Sequence, residues 1–94
     1  MDTSAFEATL KTDGYTEIEI KTYNPHPPNG EHGHHFSVRG LVLDGTFIVI
    51  RDQKPVTYRT GEVFAVPEGC LHGEEIGPEG ARVLIGRKYF INRE

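Results

Sequence analysis

The sequence predicts an all-β fold of the jelly-roll kind, with one short N-terminal helix. Three observations predict it. Glycine (11) and proline (6) punctuate the 94 residues at short intervals. The stretches between them are strand-length and rich in Val, Ile, Thr, Tyr and Phe, the mark of a β-sandwich or barrel. The length suits a single hydrophobic core, so residues 1–94 are read as one domain.

Residues 1–14 are read as a helical segment. Ser4 can cap it with Glu7 three residues on, Phe6 and Leu10 share one face, and Gly14 stops it after Asp13. So short a helix persists only if it packs on something. Thr16 to Tyr23 alternates, with Ile18 and Ile20 expected inward and Glu17, Glu19 and Lys21 outward. The prolines of Asn24-Pro-His-Pro-Pro-Asn-Gly30 exclude a central strand there. His34 to Leu43 is a strand, Asp44-Gly45 a two-residue hairpin turn, and Thr46 to Arg51 the returning strand. Asp52 to Pro55 turns into Val56–Arg59, and Thr60-Gly61 turns into Val63–Val66. After the Pro67-Glu-Gly69 turn come a short strand, Leu71 to Ile76, a Gly77-Pro-Glu-Gly80 turn, and a last strand from Ala81 to Ile91. About eight short antiparallel strands from one chain make a jelly roll.

Composition excludes several function classes. Ten Lys and Arg face fourteen Asp and Glu, a net charge of −4, and the cations Lys11, Lys21, Arg39, Arg51 and Lys54 stand singly. Nucleic-acid binding needs clustered cations, so it is not expected. A mean hydropathy of −0.45 leaves no membrane-spanning stretch. The opening Met-Asp-Thr-Ser-Ala-Phe-Glu has neither the basic nor the apolar region of a signal peptide, and with a lone cysteine the expected compartment is the cytoplasm. Cys70 by itself cannot form an internal disulfide. So small a chain then gains its margin from packing, a metal or a partner subunit.

The five histidines carry the chemistry. His32 and His34 are two apart, so on extended backbone both imidazoles point to one side. His72 opens a different strand, which a barrel can bring beside the first. Three imidazole nitrogens suffice for a divalent transition metal: Zn, Fe, Ni, Mn or Co. Phe36, Val38 and Val42 continue the parity of His34, so the pair stands at the mouth of an apolar interior. His35 has the opposite parity and faces away unless a bulge turns it. His26, in the proline loop, is read as surface or as a lid over the mouth.

These residues resemble the cupin motifs. The first, G-x5-H-x-H-x3-E-x6-G, is met by His32, His34 and Gly45; the second, G-x5-P-x-G-x2-H-x3-N, by Gly61, Pro67, Gly69 and His72. The two motifs, residues 32–45 and 61–76, and their link cover about half the chain. His26 stands at the first Gly position, Ile76 at the Asn and Val38 at the Glu that commonly supplies a fourth ligand. The resemblance implies a double-stranded β-helix, the cupin barrel, often with a divalent metal and often a homodimer. Cupins include dioxygenases, isomerases, lyases, storage proteins and ligand sensors, so the fold leaves the reaction open.

With Val38 at the Glu position, three neutral imidazoles leave the ion its full +2 charge, which favours anionic or bidentate oxygen ligands. Glu74, two past His72 on the same face, is the first candidate for a substitute ligand or general base, and His35 the second. Cys70 has acidic neighbours that disfavour a thiolate. Leu41 and Leu43 share an outward parity, so the helix or a second subunit is expected to cover them. Two functions remain open. One is a metal-dependent enzyme acting on a small organic acid or diketone-like molecule. The other is a non-catalytic small-molecule-binding or sensory cupin with a structural or absent metal.

Overall fold

The computed structural model of the chain describes residues 1–90. Helix α1 (Ser4–Thr12) precedes five strands: β1 (Thr16–Tyr23), β2 (Phe36–Arg51), β3 (Lys54–Arg59), β4 (Val63–Val66) and β5 (Gly73–Tyr89). All pair antiparallel in the order β1-β5-β2-β3, with β4 also on β2. The expected jelly roll is thus present, but with fewer and longer strands. The expected final residue of the last strand, Ile91, lies outside the described residues.

The strand count differs because two turn signals are bends inside continuous strands. Asp44-Gly45 is not a hairpin: β2 runs through it and keeps β5 as its neighbour on both sides, Val42 opposite Val83 and Phe47 opposite Ile76. Gly77–Gly80 likewise does not end a strand; it bulges out of β5 between Ile76 and Ala81. Gly45 and Gly80 both have a φ of 78°, and a side chain on Gly45 would strike the Gly80 backbone. The two glycines let paired strands bend together, which is how a sheet turns a barrel corner. The true two-residue hairpin is Asp52-Gln53, with φ of 51° and 64°, joining Arg51 to its partner Lys54. Strand β3 begins two residues earlier than expected and holds Pro55, tolerated on a strand that among the described residues pairs with β2 alone.

Strand β1 corrects a second expectation. Its register slips between Thr16 and Glu19, where Glu17 adopts a φ of 49°. Three residues on β1 thereby span two on β5, a bulge that reverses the alternation after it. Ile20 therefore pairs with Leu84 and is 50% exposed, not buried, while Lys21 and Tyr23 turn inward opposite Val83 and Ala81.

The core is Val42, Phe47, Val49, Phe64, Val66, Ile76, Ala81, Val83 and Ile85. Phe47 stacks on Phe64 at 4.6 Å, and Tyr23 meets Phe47 edge-on at 5.3 Å. Leu10, Leu41 and Leu84 are buried but lie outside this cluster. Leu10 reaches the outer face of β5 at Gly86, the glycine opposite Arg39 on β2. The helix thus packs on the outer face of β5 at Gly86. Arg39 bonds Asp13 at 2.7 Å and lies over the Tyr15 ring, so it ties down the helix end and is not a free surface cation. The cap is Thr3, not Ser4. Thr3 precedes the helix and its hydroxyl meets Glu7 at 2.6 Å, whereas Ser4 is already helical and donates its N–H to Asp2.

Candidate metal centre

The proline loop places the first histidine. It runs alongside the start of β5 as an irregular extra strand. His26 exchanges backbone bonds with Ile76, and Asn29 donates to Glu74. His32 and His72 exchange both bonds at 2.9 Å. His34 lies just ahead of β2, not within it, and its carbonyl accepts the Gly69 N–H at 3.0 Å. The Pro67-Glu-Gly69 turn is held in turn by Ser37, whose hydroxyl accepts the Glu68 N–H. Both cupin-like motifs are therefore bonded to each other through backbone before any side chain meets.

The three imidazoles converge. Ring centroids are 4.7 Å apart for His32–His72, 5.0 Å for His32–His34 and 5.1 Å for His34–His72. One nitrogen from each lies within 4.8 Å of the others, the geometry of a group that can hold a metal ion. Burial is graded: His72 is 1% exposed, His34 half-buried and His32 the most open. Phe36 stacks on His34 at 4.7 Å. Burial and the two neighbouring imidazoles hold the His34 pKa below the usual histidine value, which keeps the ring in the neutral, ligating form.

The hydrogen bonds around the rings fit a bound cation. A carbonyl can only accept, so the Cys70 carbonyl takes Nδ1–H of His72 and the Gly30 carbonyl takes Nδ1–H of His32, each at 3.2 Å. In the neutral rings both Nε2 atoms are then lone pairs. That of His72 faces Oε2 of Glu74 at 3.3 Å, two acceptors that a shared proton or a bound cation reconciles. Among the described residues His34 Nδ1 is buried with no hydrogen-bond partner. Such orphaned polar atoms are costly unless something meets them.

The expected residues fall as follows. His32, His34 and His72 come together. Glu74 stands beside them on His72, outside the converging group. His35 is exposed and takes no part, and the His26 ring bonds its neighbour's carbonyl away from the cluster. Val38, at the Glu position of the motif, lines the cavity beside the core.

A cavity of about 160 Å³ opens beneath the histidines. Phe36, Val38, Phe47, Phe64, Val66 and Ile85 make its apolar walls. Lys21, Tyr23, Glu74 and Arg87 supply its polar groups. Burial, and then the Glu74 carboxylate, push the Tyr23 hydroxyl up to about 12, so it remains a donor. Lys21, Tyr23 and Arg87 were not singled out by the sequence as cavity residues. For Lys21 and Tyr23 the reason is the β1 bulge at Glu17, which no local signal in the sequence announces.

A barrel of antiparallel strands with three converging histidines at its mouth is the cupin architecture. The comparisons agree with that class. The chain is similar to the EutQ protein of Clostridium difficile, with TM-score 0.69 and 19% identity, covering 85% of this chain and 61% of that one. It is similar to a cupin superfamily protein of Desulfitobacterium hafniense, with TM-score 0.65 and 16% identity, covering 78% and 66%. A cupin-2 domain protein of Shewanella frigidimarina, with TM-score 0.63 and 15% identity, is covered almost whole, 89% of this chain against 96% of that one. The chain spans less than two thirds of the length of the EutQ protein. No family model and no curated protein sequence matches the chain. The chain has the cupin fold, a double-stranded β-helix, with a histidine triad positioned to hold a metal ion.

Proposed function

We propose that the protein is a small metal-binding cupin, one domain over residues 1–94, that acts as a metal-dependent enzyme on a compact organic acid or diketone-like molecule. The observation that carries the reading is the convergence of His32, His34 and His72 above an apolar cavity, with Glu74 against His72. The three histidines are the ligands of a divalent transition metal, among Zn, Fe, Ni, Mn and Co. Such an ion supplies Lewis acidity to a ligand oxygen. The chain's own residues do the rest. The aromatic and aliphatic walls exclude water from the ligand, and Glu74 takes a proton from it as the catalytic base. Asn29 accepts the Glu74 N–H at 2.8 Å and keeps that carboxylate at the mouth.

A non-catalytic, ligand-sensing role is favoured by one observation. Among the described residues Glu74 is the single carboxylate lining the cavity, so no carboxylate pair is present for acid and base steps. Glu74→Gln separates the two readings. With metal loaded, a wild type that consumes oxygen or a chelating acid, and a variant that binds metal yet does not, supports the enzyme. A wild type with ligand-induced thermal shifts and no turnover of any such acid supports the sensor.

A cytoplasmic homodimer belongs to the same reading. Among the described residues strand β1 has β5 as its one neighbour in the sheet and leaves Ile20 half exposed along it. Among the described residues no helix is long and apolar enough to cross a membrane. Sedimentation of the wild type against Ile20→Glu tests the dimer.

A further inference from the structure

We propose that Lys21 is the anion anchor of the cavity, and that the ligand class is therefore a small dicarboxylate: one acid group toward the histidines, the other on the Lys21 ammonium. This rests on the metal-site reading above.

The first argument is placement. The Glu17 bulge turns Lys21 off the solvent face and onto the cavity wall, opposite the core residue Val83. A strand in simple alternation would have put Ile20 there. The half-buried Lys21 side chain thus lines the cavity, where its ammonium can meet an anionic ligand.

The second argument is pairing. Among the described residues two cations line the cavity, Lys21 and Arg87. Arg87 is already neutralised, 2.7 Å from Glu19 and 3.9 Å from Glu17. Lys21 has no carboxylate within 4.0 Å among the described residues; its nitrogen sits 5.2 Å from the Tyr23 ring centroid. One cation is thus built into structure and the other is left available to a ligand.

The third is charge balance. With a divalent ion on three neutral imidazoles, the cavity carries the ion's two positive charges, one from Lys21 and one negative from Glu74. Arg87 is held by Glu19 and Glu17 and is not counted. The two cationic poles that face the cavity, the ion and Lys21, match the two carboxylates of a dianion. The cavity is well under the roughly 300 Å³ at which drug-sized sites begin. That limits the ligand to a few carbon atoms, and the Tyr23 O–H adds a neutral donor on the same wall.

The alternative is that Lys21 merely runs its apolar stem along the rim and keeps its charge in water. Calorimetric titration of the full chain with zinc, then with malonate, decides between them. Wild type, Lys21→Met, Lys21→Gln and Lys21→Arg are compared, zinc-loaded and zinc-free. The expected result is equal zinc stoichiometry in all four. Malonate affinity falls about tenfold or more in Lys21→Met and Lys21→Gln and is largely kept in Lys21→Arg. Equal malonate affinity in wild type and the two neutral variants, or no malonate binding to zinc-loaded wild type, overturns the anchor. If wild type takes up no zinc, it is the metal reading that fails. The zinc-free titrations then decide the anchor: malonate binding that needs Lys21 upholds it, and no such binding overturns it.

Discussion

His32 and His72 donate to each other's backbone carbonyls, both at 2.9 Å, so two candidate ligands forty positions apart in the chain form one rung of sheet. The rung is made by main chain, and the imidazoles have only to turn inward from it. The cluster is thereby pre-organised, and a metal ion would link the proline loop to the start of β5.

Metal uptake is accordingly expected at one divalent ion per chain. His72→Ala and His32→Ala should each abolish it, read by elemental analysis of untagged protein. At a hundredfold excess over the dissociation constant the ion should stabilise wild type by about 2.7 kcal/mol, read in urea titrations, and the variants by nothing. A variant with unchanged stoichiometry would remove its histidine from the ligand set.

Gly45→Ala should cost about 2–4 kcal/mol. It combines a left-handed backbone with a methyl group driven into the Gly80 carbonyl, and that carbonyl belongs to the paired strand. Gly61→Ala is the control. Its φ is 89° but nothing lies near the added carbon, so about 1 kcal/mol is expected. Equal losses in chemical denaturation would show that the two bends are not locked together.

Leu10→Ala should cost about 2–4 kcal/mol, because Leu10 is fully buried and is the one buried side chain of α1. The helix should become the first site of proteolysis, ahead of the barrel. Mass spectrometry of early fragments should place the first cuts within residues 1–14.

Alkaline pH should destabilise the protein through Tyr23. Burial and Glu74 raise its hydroxyl from 10.0 to about 12 in the folded chain, so folding favours the protonated form. That contribution is full below pH 10 and is lost as pH rises from 10 towards 12. Tyr23→Phe should flatten this loss relative to wild type, followed as stability against pH with tyrosinate absorbance as the local probe.

Local chemistry in the chain is enough for the β class, the helix over its first residues, the stop at Gly14, strand β4 and the three histidines. Each depends on short-range periodicity, on turn residues or on the spacing of residues in a motif. Bends and bulges are different. Asp44-Gly45 carries the dipeptide of a hairpin, and nothing local says that β5 will stay paired with β2 across it. Asp52-Gln53 is a weaker hairpin signal and makes the true turn. One extra residue at Glu17 reverses the alternation of β1, turning Lys21 and Tyr23 onto the cavity wall and exposing Ile20. Such choices depend on which strand lies alongside, and pairing between distant segments is settled by the packing of the whole barrel. The histidine triad is thus legible from spacing, while the charged wall facing it exists only once β1 and β5 have found their register.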